Sequence, residues 1–424
     1  MRTFKAQSRA QVARSIAQAI QEKPDSVLCF SHLRWNFVFQ RPQHLMTRFA
    51  QKHRVFYFEE PVFGSDASVA RLELQTCAQS GVIVAIPHLP ANRSRFANEE
   101  MLRDLLDGLR EQQNIVRPLG WYYTPAMLPF SRHLDYALVV YDCMDELANF
   151  LSASPQLPLL ERELMREADL VFTGGHSLYE AKRALHDNIH PFPSGLDRDH
   201  FAPARTYVGP EPADQATLLR PRFGYFGVLD ERIDFPLIAA LADHRPRWNI
   251  IMVGPVAKIG AEDLPQRPNI HYLGGKSYKN LPNYLAGWDV ALMPFALNEA
   301  TRFISPTKTP EYLAGGKPVV STPVADVVRQ YGNMQCVRIA RSLDHFIAEC
   351  EAALTMRSCG DDWLKEADAA INKTSWAATF DRMCRLIDEV LTREDSQIPL
   401  GVQSKTDRAL PDSKSSHNTQ VPDV

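Results

Sequence analysis

The stretch SPTKTPEYLAGGKPVVST, residues Ser305–Thr322, carries the clearest structural signal in the chain. Ser305 is a preferred residue immediately before a helix, and Pro306 suits the first helical position, where its missing N–H would have no partner. The glycine pair that starts at Gly315 can end the helix, and the apolar residues after it predict a buried strand. The stretch therefore predicts a helix over residues 306–314 followed by a strand, which is a unit of a parallel α/β sheet.

The same alternation of apolar runs and helical patterns extends in both directions. Seven strand candidates lie between residues 26 and 192 and six between residues 222 and 339, with helical stretches between them. This spacing predicts parallel sheets joined by right-handed crossovers. A chain of 424 residues is long enough for two such sheets, each with its own core. We therefore predict an α/β protein of two Rossmann-like, doubly wound lobes that face each other across a cleft.

Composition shifts divide the chain further. A segment rich in proline and polar residues separates the two series of strands, and the last thirty residues or so are polar and lack aromatics. The predicted domains are an N-terminal helix over residues 1–23, a first lobe over 24–201, a linker over 202–219, a second lobe over 220–374, a C-terminal helix over 375–393 and a disordered tail over 394–424.

Bulk properties exclude several classes of protein. A formal net charge of −3 gives no global electrostatic footprint for nucleic acid. The seven cysteines are scattered without a Cys-x-x-Cys pair, which favours buried thiols in a reducing compartment over a disulfide framework or a zinc ribbon. No apolar run approaches the ~20 residues needed to cross a bilayer. We expect a cytoplasmic protein.

The N-terminus is basic and helix-prone but has no continuous apolar region of the kind found in a secretory signal. Phe4, Val12 and Ile16 recur at near-helical spacing, close to Lys5 and Arg9. This pattern fits a helix packed on the first lobe, and it also fits a weak membrane-surface helix.

Polar residues and glycines follow the predicted strands, at the sheet edge where ligands bind in open parallel sheets. The residues in these positions are Ser31, His32 and Arg34, Asp142 and Asp145, Gly174, Gly175 and His176, Gly227, Asp230 and Arg232, and Gly254. Two lobes with these edges facing each other would form one cleft.

The start of the predicted helix at Pro306 is a candidate anion site, because free amides and the helix dipole meet there. Lys308 adds a positive charge, and Glu311 lies on the same face about 5 Å along the axis. This spacing fits a diphosphate at the helix start with a ribose beyond it. From spacing alone, a capped helix with a Lys–Glu pair on the surface is the favoured explanation. The Ser305-x-x-Lys308 pattern also matches Ser/Lys hydrolases, but their companion motifs are absent.

Cofactor and metal motifs are weak. The segment FGYFG at residues 223–227 lacks the full Gly-x-Gly-x-x-Gly dinucleotide fingerprint. His186 and His190 have metal-like spacing but no carboxylate partner in register, and Asp142 and Asp145 can equally cap the helix that follows them. We therefore predict neither a cofactor nor a metal.

Four motifs together resemble the GT-B glycosyltransferases of the group 1, family 4 type, over roughly residues 26–392. They are EYLAGGKPVV (Glu311–Val320), PSGLDRDHF (Pro193–Phe201), ADLVFTGGHSL (Ala168–Leu178) and the Ser375-Trp376 start of the last helix. In this family that last helix crosses back onto the first lobe. The block SHLRWNFVFQRPQHL (Ser31–Leu45) is similar to one in bacterial cell-surface polysaccharide transferases of the group. Phe303 stands where the family has the first of its paired glutamates.

The resemblance implies roles for individual residues. The implied donor-binding residues are Gly227, Arg232, Gly254, Arg302, Ser305, Thr307, Lys308 and Glu311, and the implied acceptor-side residues are His32, Arg41, His44, Asp142 and His176. His32, Arg232 and Lys308 are the implied catalytic residues, of which Arg232 and Lys308 stabilise the departing nucleoside diphosphate.

The resemblance thus implies a glycosyltransferase of the hexosyltransferase class that uses a nucleotide-sugar co-substrate and is retaining and metal-independent. The expected acceptor is a glycan or a lipid-linked molecule in cell-surface polysaccharide or glycolipid synthesis, with peripheral contact at the inner face of the plasma membrane. The alternatives are a nucleotide-sugar epimerase of the same fold and a non-catalytic two-lobed sugar-binding protein.

Overall fold

The structure, a computed structural model, describes residues 24–64, 69–151 and 153–397, with side chains described as far as residue 393. The predicted N-terminal helix over residues 1–23 lies outside the described residues. The C-terminal helix runs to Gln397 and so includes the first four residues of the predicted disordered tail. The remainder of that tail lies outside the described residues.

The first lobe is built on a sheet of nine described strands. They are β1 (Ser26–Ser31), β2 (Arg54–Glu59), β3 (Val62–Gly64), β4 (Arg71–Thr76), β5 (Ile83–Pro90), β6 (Leu119–Tyr122), β7 (Leu138–Cys143), β8 (Leu170–Thr173) and β9 (Ile189–Pro191). The helices of this lobe are α1 (Arg41–Phe49), α2 (Arg95–Gln112), α3 (Leu128–Ser131), α4 (Leu157–Glu167), α5 (His176–Lys182) and α6 (Arg198–Phe201). The strand order is β3-β5-β2-β1-β6-β7-β8-β9, and β4 pairs with β5.

The second lobe is built on a six-stranded parallel sheet. Its strands are β10 (Arg222–Phe226), β11 (Asn249–Val253), β12 (Ile270–Gly274), β13 (Val290–Met293), β14 (Val319–Ser321) and β15 (Val337–Ile339), in the order β12-β11-β10-β13-β14-β15. The helices from the linker onwards are α7 (Ala213–Ala216), α8 (Phe235–His244), α9 (Leu281–Ala286), α10 (Lys308–Ala314), α11 (Ala325–Tyr331), α12 (Leu343–Ser358), α13 (Asp362–Ile371) and α14 (Trp376–Gln397).

All strand pairs are parallel except β4 with β5. Central strands such as β1 (SVLCFS) and β13 (VALM) are buried along their whole length, because helices cover both faces of the sheet. The strand order reverses between β1 and β6 in one lobe and between β10 and β13 in the other, the arrangement of a doubly wound fold. The predicted fold class is confirmed.

The two lobes have separate hydrophobic cores, and two chain segments cross between them. The residues after Leu196 lead into the second lobe, and α14 returns to the first, where Trp376, Met383 and Ile387 are buried in its core. The two crossings touch, because the Trp376 amide donates a hydrogen bond of 3.2 Å to the Leu196 carbonyl.

The predicted linker over residues 202–219 is packed against the second lobe. The indole N–H of Trp288 donates to the Gln215 side chain at 2.9 Å, and Gln215 is fully buried. The guanidinium of Arg205 donates to the Ala314 carbonyl at 2.7 Å. This segment is therefore an ordered part of the second lobe.

Candidate active site

A cavity of about 620 Å³ lies between the two lobes. The first lobe contributes the loop Trp35–Arg41 and the hairpin residues near Cys77, and the second contributes Gly227, Gly254 and the segment Ser305–Lys308 with Glu311. The residues from the second lobe follow β10, β11 and β13, at the carboxyl edge of its sheet. The cavity therefore occupies the position that the strand ends predict for a ligand.

Gly227 and Gly254 allow a close approach of backbone and side chain on the cavity floor. Gly227 has φ +147°, and a Cβ there would lie 2.3 Å from Cε of Lys308. A Cβ on Gly254 would lie 1.8 Å from the carbonyl oxygen of Gly227. A side chain at either position would displace the stem of Lys308 or the strand end beneath it.

The helix that was predicted from Pro306 begins two residues later. Thr307 is its N-cap residue and Lys308 its first helical residue, and no side chain caps the helix. Ser305 and Pro306 line the cavity instead of starting the helix, so the prediction of Ser305 as the capping residue is wrong. The first-turn amides have no partner within the helix and lie at the cavity wall.

Lys308 and Glu311 form no hydrogen bond or ion pair through their side chains to any other described residue. Both line the cavity, and Glu311 is 7% exposed. Burial raises the pKa of Glu311, an effect that the neighbouring Lys308 opposes, and burial lowers the pKa of Lys308, which Glu311 opposes. The explanation favoured from spacing, a Lys–Glu pair on the surface, is wrong, because Glu311 is buried, Lys308 is half-buried and both side chains line the cavity.

Arg232 also lines the cavity, but its charge is partly compensated. Its guanidinium binds the carboxylate of the buried Asp230, with Nη2–Oδ2 at 2.7 Å, and lies 5.6 Å from the ring centroid of Phe150 in the first lobe. Arg302 lies elsewhere. Its side chain is 61% exposed and pairs with Glu299 at 3.3 Å, away from the cavity-lining residues.

Arg41 and Asp142 form a buried ion pair. The Nη2–Oδ1 distance is 2.8 Å, and the two side chains are 2% and 0% exposed. Nη1 of Arg41 donates to the Phe192 carbonyl at 2.7 Å. Arg41 reaches the cavity wall, whereas Asp142 does not line the cavity. Both charged groups are therefore bound within the first lobe.

The three histidines on the acceptor side lie behind the cavity wall and do not line it. His44 is 3% exposed and stacks on Trp376 with ring centroids 4.4 Å apart, and burial lowers its pKa to about 3. Burial, with the positive charge of Lys258, lowers the pKa of His32 to about 4, and its buried Nδ1 has no hydrogen-bond partner. His176 opens α5, and its backbone amide donates to Asp326 in the second lobe.

Within the described residues, no group of three or more His, Cys, Asp or Glu side chains is placed to hold a metal ion. None of the described helices is long and apolar enough to cross a bilayer.

Residues 220–355 match the family described as "Glycosyl transferases group 1", and this range contains Gly227, Lys308 and Glu311. The chain is also 27% identical over 303 residues to "Putative teichuronic acid biosynthesis glycosyltransferase TuaH" of Bacillus subtilis (strain 168), an alignment that covers 66% of this chain and 74% of that relative. The chain is a glycosyltransferase.

This glycosyltransferase has the GT-B fold. Sucrose-phosphate synthase from Thermosynechococcus elongatus is similar with a TM-score of 0.67 at 14% identity, covering 87% of this chain and 100% of that one. HepE of Anabaena, solved in complex with UDP and glucose, is similar with a TM-score of 0.59 at 14% identity, covering 86% of this chain and 100% of that one.

Two further residues of the glycosyltransferase line the cavity, although they are not among the implied donor-binding and acceptor-side residues. Asp145 has no side-chain partner in the described part of the chain, and burial raises its pKa against the opposing charges of Arg232 and Lys258. The sequence places Asp145, together with Asp142, after the same predicted strand in the motif YDCMDE.

Tyr278 is the second such residue. Its ring is stacked on His200 at 4.1 Å and on Phe39 at 4.8 Å, so both faces are occupied. Its buried hydroxyl has no partner. Tyr278 therefore lines the cavity with a ring packed between Phe39 and His200, and this packing leaves no local signal in the sequence.

Proposed function

We propose that this enzyme transfers a sugar from a nucleoside diphosphate to a hydroxyl group of a glycan or lipid-linked acceptor. The observation that carries the proposal is the pair Lys308 and Glu311, two unpaired charges that face the cavity from one turn of α10. An unpaired buried charge is costly unless a ligand compensates it. A diphosphate beside Lys308 and ribose hydroxyls beside Glu311 would compensate both.

In this proposal the diphosphate lies against Lys308 and the first-turn amides of α10, with Arg232 at the same wall. The sugar–phosphate bond breaks with its electron pair going to the diphosphate oxygen. A new bond forms between the anomeric carbon and the acceptor oxygen, whose proton passes to the departing diphosphate oxygen. Lys308, the helix dipole and Arg232 stabilise the developing charge on the leaving group. Because these groups supply positive charge, we propose transfer without a metal.

We further propose a UDP-linked donor, retention at the anomeric carbon and an acceptor in cell-surface polysaccharide synthesis. HepE was solved with UDP and glucose and also with UDP-glucose, which supports UDP, and the relative named for teichuronic acid biosynthesis supports the acceptor class. Retention follows from the resemblance of the motifs. Comparing the anomeric configuration of donor and product by NMR tests it.

Peripheral membrane contact belongs to the same proposal. Phe37 lines the cavity and is 48% exposed, and Phe63 on the nearby edge strand β3 is 54% exposed. Exposed aromatics beside an acceptor site suit a lipid-linked substrate held at a membrane surface. Co-sedimentation with anionic vesicles, compared between the wild type and Phe37→Ser with Phe63→Ser, tests this contact.

The test of donor binding is a thermal-shift panel of UDP, GDP, dTDP and ADP sugars against the wild type and Glu311→Ala. We expect one nucleotide class to raise the melting temperature of the wild type by several degrees and that of the variant much less. Flat responses across the panel would contradict the donor site. Release of free nucleotide and epimerised sugar without any acceptor would identify an epimerase, and binding without turnover would favour a sugar-binding protein.

A further inference from the structure

Asp326 is a buried carboxylate that connects the two lobes. It belongs to α11 of the second lobe and is 6% exposed. Its two oxygens accept hydrogen bonds from the backbone amides of His176 and Ser177, each at 2.9 Å. These amides open α5 of the first lobe and have no partner within that helix.

Two helix N-termini meet at this one carboxylate. Asp326 lies in the first turn of its own helix α11 and at the start of α5. The positive ends of two helix dipoles, one from each lobe, therefore point at the same negative charge. Without that charge the two ends would repel each other and two amides would lose their acceptor. Attraction between the lobes at this point depends on Asp326.

Gly175 lies between this contact and the cavity wall that contains Ser305. A Cβ on Gly175 would lie 2.2 Å from Oδ2 of Asp326 and 2.6 Å from Cβ of Ser305. Ser305 begins the segment Ser305–Lys308 that lines the cavity. Phe303, two residues earlier, packs against the core of the first lobe. The contact around Asp326 therefore sets the position of the Lys308 segment relative to the first lobe.

We propose that Asp326 is a positioning residue that holds the lobes in the closed arrangement, with the Lys308 segment against α5. Its effect on sugar transfer depends on the function proposed above, whereas its effect on lobe closure does not. Gly175 is the matching element of the first lobe, because only a residue without a side chain leaves room for the carboxylate.

The test compares Asp326→Ala and Gly175→Ala, one variant on each side of the contact, in the full chain. The matched control is Asp234→Ala, because Asp234 caps α8 within its own lobe through a 2.8 Å hydrogen bond from Leu237. Small-angle X-ray scattering measures lobe closure, and hydrogen exchange measures protection of the amides of His176 and Ser177. Steady-state kinetics with UDP-glucose separate KM from kcat.

We expect both contact variants to increase the radius of gyration and to accelerate exchange at His176 and Ser177 by about tenfold, while the control changes neither. We expect the donor KM to rise by about tenfold, with a smaller change in kcat. Wild-type scattering and exchange in both contact variants would overturn the proposal. If Asp326→Ala does not fold, Gly175→Ala decides alone.

Failure of this proposal can be distinguished from failure of the proposed function. If scattering and exchange change as expected but UDP-glucose neither binds nor reacts with the wild type, the positioning role stands and the UDP donor is wrong. If UDP-glucose is turned over but scattering and exchange do not respond to either variant, the positioning role is wrong.

Discussion

The two walls of the cleft differ in whether their charged side chains form ion pairs. In the second lobe Lys308 and Glu311 face the cavity without a side-chain hydrogen bond or ion pair among the described residues, and Nζ of Lys308 lies 5.7 Å from the ring centroid of Tyr225. In the first lobe Arg41 and Asp142 also lie near strand ends, but they form an ion pair with each other in the interior. Charge type and topological position are similar on the two walls, and only the pairing differs. Under the proposed function, the two unpaired side chains would bind ligand, whereas the Arg41–Asp142 pair stabilises the first lobe.

The largest effect is expected from breaking the pair in the first lobe. Asp142→Ala leaves the guanidinium of Arg41 buried without its counter-charge, and we expect the free energy of unfolding to fall by about 3–5 kcal/mol. Urea denaturation followed by tryptophan fluorescence measures it, because Trp121 lies in the core of this lobe. Asp145→Ala removes an unpaired carboxylate three residues away, and we expect it to change the stability by less than about 1 kcal/mol. Equal losses of stability in Asp142→Ala and Asp145→Ala would contradict the distinction between paired and unpaired charges.

The next effect is expected in activity rather than stability. Lys308→Met keeps the length of the side chain over Gly227 but removes the charge, and we expect kcat/KM for sugar transfer to fall by about 10²–10³-fold. Arg302→Met removes a cation from the same segment, but that cation pairs with Glu299 on the surface, and we expect a change of less than about twofold. Steady-state kinetics of both variants measure the contrast. A wild-type kcat/KM in Lys308→Met would show that the unpaired charge is not used.

The smallest effect concerns His44. Burial lowers the pKa of this histidine to about 3. Because the unfolded chain takes up a proton near pH 6.5 and the folded chain does not, stability is expected to fall as the pH drops below 6.5. The loss amounts to about 2 kcal/mol between pH 6.5 and pH 5. His44→Phe keeps an aromatic ring against Trp376 and should remove this part of the pH dependence. Denaturation of the wild type and His44→Phe at pH 8, 6.5 and 5 gives the free energy of unfolding of each protein as a function of pH. The same pH dependence in both proteins would contradict this prediction.

Strong periodic patterns made most of the fold predictable. All six strands of the second lobe were predicted, because each contains a short apolar run and is separated from the next by a helical or loop pattern. In the first lobe β3 and β4 were missed, since β3 is only three residues long and both strands are largely exposed at the sheet edge. β3 is too short to carry a pattern, β4 (RLELQT) alternates leucine with polar residues over only four positions, and the pairing of both strands with β5 is a tertiary effect.

The candidate site was less predictable than the fold. Lys308, Glu311 and the two glycines were placed correctly at one cavity, because the strand ends of one sheet converge. The pairing of Arg41 with Asp142 joins residues 101 positions apart and leaves no local signal. The position of Arg302 on the surface likewise depends on how the loop before α10 turns. Sequence thus indicated which edge of the sheet lines the cavity, but not which charges are already neutralised by a partner.

The contact between the two chain crossings, where the amide of Trp376 binds the carbonyl of Leu196, has a mechanical consequence. Because the two chain connections lie side by side there, we expect any rotation of one lobe relative to the other to have its axis close to this contact. Gly195 lies at this pivot, where a Cβ would come within 2.6 Å of the Trp376 backbone nitrogen. A methyl group there would disturb the contact between the two chain crossings without altering the residues that line the cavity.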